Sequence, residues 1–119
     1  MPAPKIATAI PQRRYLCGNY HAVLLGEIES GDGLEYQYIL ALVREGEARP
    51  DCYVTCERMA PRSARAAGGR YRLRVIAPPL DEELEVSDRY GDIETFAAEA
   101  LQIAARVLGL DDKAPQRIM

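Results

Sequence analysis

Residues 20–44 read YHAVLLGEIESGDGLEYQYILALVR, and this stretch decides the fold. Its first half alternates: Tyr20, Ala22, Leu24 and Ile28 fall on one face, and His21, Val23, Leu25, Glu27 and Glu29 on the other. Ser30-Gly31-Asp32-Gly33 then marks a turn, because Gly and Asp accept the positive φ of tight hairpins. Its second half alternates again, with Leu34, Tyr36, Tyr38, Leu40 and Leu42 against Glu35, Gln37, Ile39, Ala41 and Val43. Two antiparallel strands follow, the first running from Arg14 to Ile28 with Gly18 as a candidate bulge.

Outward from this hairpin the alternation continues. Asp51–Met59 reads as a third strand, with Cys52, Val54 and Cys56 opposite Tyr53, Thr55 and Glu57. The stretch Ala60–Gly69 reads as a mobile loop. Arg70–Ala77 is a fourth strand, closed by Pro78-Pro79, and Glu83–Tyr90 is a fifth with Leu84 and Val86 inward. Residues 1–12 form an extended N-terminal arm with room for a short edge strand at Ile6–Ile10. Residues 111–119 carry no pattern and are expected to be a loose tail.

The period changes from two to 3.6 at Asp92. Ile93, Phe96, Ala97, Ala100, Leu101, Ala104, Val107 and Leu108 make one apolar stripe. Asp92 is its N-cap, Glu94 lies at the positive end of the helix dipole, and Gly109 is its C′ residue. The expected fold is therefore α+β. It is a single domain of 119 residues with an antiparallel sheet of four to five strands, strongly bent or partly barrel-like, and one C-terminal helix.

One helix covers one face of a sheet, yet the first hairpin is apolar on both. Val23, Leu25, Ile39, Ala41 and Val43 form a second greasy face that requires cover. Barrel closure, a second copy of the chain and an apolar ligand are the three ways to supply it.

Charge is distributed in blocks. Arg58, Arg62, Arg65, Arg70, Arg72 and Arg74 precede Ala77 with no acid among them, and seven acids against one Arg89 occupy residues 81–94. Arg62, Arg65, Arg70, Arg72 and Arg74 with Tyr71 are therefore candidate contacts for an anion or a single-stranded nucleic acid, by charge and stacking. The opposing expectation is that the fourth and fifth strands pair, setting Arg70, Arg72 and Arg74 across from Glu83 and Glu85.

No catalytic or metal constellation is legible. His21 is the lone histidine. Cys52 and Cys56 lie roughly 13 Å apart on an extended strand, too far for a disulfide or a shared zinc. Ala67-Gly68-Gly69 lacks the lysine and spacing of a phosphate-binding loop, and Ser63 lacks a nucleophile-elbow context. No cofactor is implied. The odd cysteine count and the absence of a leader or a long apolar run point to a cytoplasmic protein with no membrane partner. The net charge of −3 gives no global attraction to nucleic acid.

The resulting expectation is a non-catalytic binding or assembly module acting as a homodimer. A single-stranded nucleic-acid binder using the arginine and tyrosine surface is the alternative. An enzyme acting on a small substrate with His21 in a cleft is the third reading.

Overall fold

In the computed structural model, which describes residues 3–110 and 114–119, the hairpin at residues 20–44 forms the middle of the sheet. Strands β2 (Tyr20–Ser30) and β3 (Tyr36–Arg44) pair from Tyr20↔Arg44 to Leu25↔Ile39. Before them comes β1 (Ile6–Cys17). After them come β4 (Cys52–Arg58), helix α1 (Pro61–Ala67), β5 (Tyr71–Ala77) and β6 (Leu80–Ser87). A 3₁₀ turn (Arg89–Gly91), helix α2 (Ile93–Leu108) and β7 (Gln116–Arg117) complete the chain. Every pairing is antiparallel, in the order β6-β5-β4-β3-β2-β1-β7.

The α+β class with one antiparallel sheet is as read from the sequence, but the count differs. Among the described residues there are seven strands instead of four or five, and two helices instead of one. The sheet is open, with β6 and β7 at its edges, so it does not close into a barrel.

Three local causes account for the difference. The run Arg14–Ile28 is two strands, because Gly18 takes a positive φ of 59° and, with Asn19, makes a two-residue turn between Cys17 and Tyr20. The N-terminal arm thereby becomes a full partner of β2 from Ile6 onward. Residues 61–67, expected as loop, form α1: Pro61 opens it, where a missing N–H costs nothing, and Gly68 closes it in the left-handed conformation. In the expected tail, Gln116 and Arg117 pair with Leu16 and Tyr15. The tail's residues 111–113 and the arm's residues 1 and 2 lie outside the described residues.

Helix α2 begins and ends where its caps predict. The Asp92 carboxylate accepts from the Thr95 backbone N–H at 3.0 Å and from its hydroxyl at 2.9 Å. Gly109 is left-handed, and Leu110 folds back to donate to the Ala105 carbonyl. The helix buries Phe96, Ala97, Ala100, Ile103 and Ala104 on the first face of the sheet, against Ala22, Leu24, Leu40, Leu42, Val54 and Leu73. Ile103 was not part of the expected stripe; Leu101 and Val107, which were, stay half-buried. Phe96 stacks on Tyr38 with ring centres 5.4 Å apart. An ion pair between Arg13 and Glu94 ties β1 to the first turn of α2 and holds the Glu94 carboxyl below its ordinary range.

Two bulges redirect side chains. Tyr36 pairs with Glu57 and Tyr38 with Cys56, so Gln37 is extra and Tyr36 turns to the second face. Leu73 pairs with Glu85 and Arg74 with Glu83, so Leu84 is extra; expected inward, it is exposed.

Candidate functional site

The second face of the sheet has two halves. Across β2, β3 and β4 it is apolar: Val23 pairs with Ala41 and Ala41 with Tyr53, while Leu25 pairs with Ile39 and His21 with Val43. Ile39 and Ala41 are buried; Val23, Leu25, Val43 and Tyr53 are half-buried. Their first-face neighbours Ala22, Leu24, Leu40 and Leu42, beneath α2, are fully buried. The contrast follows from helix placement, because α2 packs on the first face only.

Toward β5 and β6 the same face becomes charged. Glu57 is 3% exposed and accepts from Arg72 at 2.6 and 3.2 Å. Arg74 lies 3.4 Å from its other oxygen, to which the Thr55 hydroxyl also donates. Glu83 and Asp81 flank the pair, at 3.5 Å from Arg72 and 3.8 Å from Arg74. The Glu57 carboxylate raises the Arg72 guanidinium above its ordinary value. Arg72 and Arg74, both in the candidate anion-contact set, thus face carboxylates on β4 and β6. Arg72 does face Glu83, as the cross-strand expectation had it, but Glu85 pairs with Arg89 instead. The main partner, Glu57 on β4, was assigned no role from sequence. Its nearness depends on the β4–β5 register, which composition does not show.

The remaining arginines gather elsewhere. Arg58 at the end of β4, Arg65 in α1, and Arg70 before β5 line a cleft of about 370 Å³ with Met59, Pro61, Ala64 and Tyr71. Arg70 sits over the Tyr71 ring, 5.8 Å from its centre, and its Nε is 3.3 Å from Asp88. Arg58 has a distant partner, Glu35, at 3.9 Å. Among the described residues neither Arg62 nor Arg65 has a carboxylate partner; Arg62 lies on α1 but outside the cleft lining. The structure therefore brings together Arg65, Arg70 and Tyr71 from the predicted set, adds Arg58, and separates Arg72 and Arg74.

A second cleft, of about 640 Å³, opens where the β2–β3 ladder ends beyond Leu25↔Ile39. Glu27, Glu29, Gln37 and Tyr38 line it, with Ile93 from α2 and Arg58 as the wall shared with the first cleft. Glu27 adopts a φ of 47°, uncommon for a residue with a side chain. The clue in the sequence is Gly26, whose added Cβ would lie 3.0 Å from Gln12.

His21 stands apart. Its Nε2 is buried with no hydrogen-bond partner among the described residues, and it lines neither cleft. Cys52 and Cys56 are buried on the first face, and burial pushes both thiols up to about 12; burial raises Cys17 as well. Among the described residues no three His, Cys, Asp or Glu side chains cluster to hold a metal, and no helix is long and apolar enough to cross a membrane.

No known protein family, curated protein or solved structure matches this chain.

Proposed function

We propose that this protein is a non-catalytic binding or assembly module that works as a homodimer, with the β2–β4 part of the second sheet face as the contact. The observation that carries the reading is the half-exposed band of Val23, Leu25, Val43 and Tyr53 around buried Ile39 and Ala41. The band carries no formally charged side chain, so two copies related by a two-fold axis meet on it without opposing like charges. Two such sheets stack about 10 Å apart with their side chains interleaved. The acidic β6 edge (Asp81, Glu82, Glu83, Glu85) disfavours pairing of two copies through that edge.

The size of the band sets the strength. Three strands of about six residues cover roughly 14 by 20 Å, close to 300 Å². A standard interface buries about 800 Å² per partner, so the dimer is expected to be reversible, with a micromolar dissociation constant.

Sedimentation velocity across a concentration series tests this. The wild type should move from monomer to dimer at micromolar concentrations. V23E/V43E should remain monomeric while keeping its far-ultraviolet dichroism, because the first-face core is untouched. A wild type that stays monomeric at hundreds of micromolar overturns the proposal.

A further inference from the structure

We infer that the cleft between α1 and β5 binds a planar aromatic phosphate of the nucleoside monophosphate class. The site goes beyond the dimer reading and does not depend on it. Three arginines from three separate elements line the cleft: Arg58 from β4, Arg65 from α1 and Arg70 from the turn before β5. The rest of the wall is apolar, supplied by Met59, Ala64 and Tyr71. Convergent cations beside an apolar and aromatic wall suit a ligand that carries an anionic head on a flat body. The guanidinium fork matches phosphate oxygens, and the Tyr71 ring and Met59 suit a base.

The charge balance favours an anion. Arg65 has no carboxylate partner among the described residues. The partners of Arg58 and Arg70 are exposed side chains at 3.9 and 3.3 Å, surface pairs of the kind that contribute little to folding. Such pairs exchange readily for a phosphate that accepts from two guanidiniums at once.

The cleft is also held in shape. A Cβ added at Gly91 would meet the Tyr71 hydroxyl at 2.7 Å and its ring at 2.9 Å, so the missing side chain is what lets the ring lie where it does. A Cβ at Gly69 would meet the Ser87 backbone at 2.7 Å, so the turn that carries Arg70 is pressed against β6. A volume of about 370 Å³ lies at the small end of ligand pockets and admits one nucleotide unit. That unit has two sources, a free nucleotide or one residue of a single strand.

The test is titration calorimetry of the full chain with four probes: adenosine monophosphate, adenosine, inorganic phosphate and a short single-stranded oligoadenylate over a salt series. The monophosphate should saturate one site per chain, with adenosine and phosphate each at least tenfold weaker. R65A and R70A should each weaken it about tenfold, R65K should restore part of the loss, and G91A should weaken it by displacing the ring. An oligoadenylate no tighter than the monophosphate supports a free nucleotide. One that is tighter, with affinity falling steeply in salt, supports a strand. Absence of saturable binding by both, or binding unchanged in R65A/R70A, overturns the inference. Phosphate binding as tightly as the monophosphate overturns it too, by removing the role of the ring. Sedimentation of R65A/R70A should match the wild type, so failure here and failure of the dimer reading are read separately.

Discussion

Glu57→Ala should be among the most damaging single substitutions on the second face. Glu57 is 3% exposed, while Arg72 and Arg74 around it are 27% and 15% exposed. Removing the carboxylate leaves two guanidiniums side by side in a half-buried setting, with Asp81 and Glu83 at longer range. Breaking a buried ion pair by deleting one partner costs about 3–5 kcal/mol. Partial exposure of the arginines and the two flanking acids place this case at the low end, about 3 kcal/mol. A chain of this length unfolds with an entropy of about 0.25 kcal/mol/K, so Tm should fall by about 12 °C. Equilibrium urea unfolding and calorimetry measure both numbers. E57Q, which keeps an acceptor and the shape, should lose about half as much. Replacing the whole triad by leucine or methionine should cost less than E57A, because the desolvation of the charges disappears with the charges. An E57A variant within about 1 kcal/mol of the wild type refutes the reasoning, as does a triple variant less stable than E57A.

Two further outcomes follow from the ionisable groups. Burial raises the Asp32 carboxyl, but hydrogen bonds from Tyr36 at 2.7 Å, from the Lys5 and Leu34 backbone N–H groups and from Ser30 outweigh it and leave the group below its ordinary 3.8. Glu85 is lowered by Tyr90 and Arg89. For a lowered carboxyl the unfolded chain binds more protons, so its stabilisation is complete above the ordinary value and is lost as pH falls through the lowered one. Stability should therefore decline as pH drops below about 4.5, with a shallower decline in Asp32→Asn; identical pH profiles for the two proteins would contradict this assignment. Cys52 and Cys56, buried and raised to about 12, should resist iodoacetamide at pH 8 until the chain opens. Native labelling as fast as labelling in urea would show that the β4 core is not closed.

How much of this was legible depends on the range of the interaction concerned. The β2–β3 hairpin, β4, β5 and α2 with both caps follow from patterns within a few residues, since alternation and helical periodicity are properties of neighbouring positions. Helix α1 was also written locally, in Pro61 and Gly68, but its length of seven residues is too short for periodicity to announce it. The turn at Gly18-Asn19 was missed although the buried residues change from odd positions (Tyr15, Cys17) to even ones (Tyr20, Ala22) across it, because a one-residue bulge at Gly18 produces the same change of parity.

From sequence alone come the fold class, the β2–β3 hairpin, the two apolar faces and the amphipathic helix that covers one of them. The tertiary structure alone decided that Gln37 and Leu84 are bulged, that Tyr36 turns to the second face, and that Arg72 and Arg74 close on Glu57. It also decided that Arg58, Arg65 and Arg70 meet at one cleft. The physical reason is register. Which residues face each other across a ladder is set by pairing between segments far apart in the chain, and one extra residue reverses every side chain beyond it.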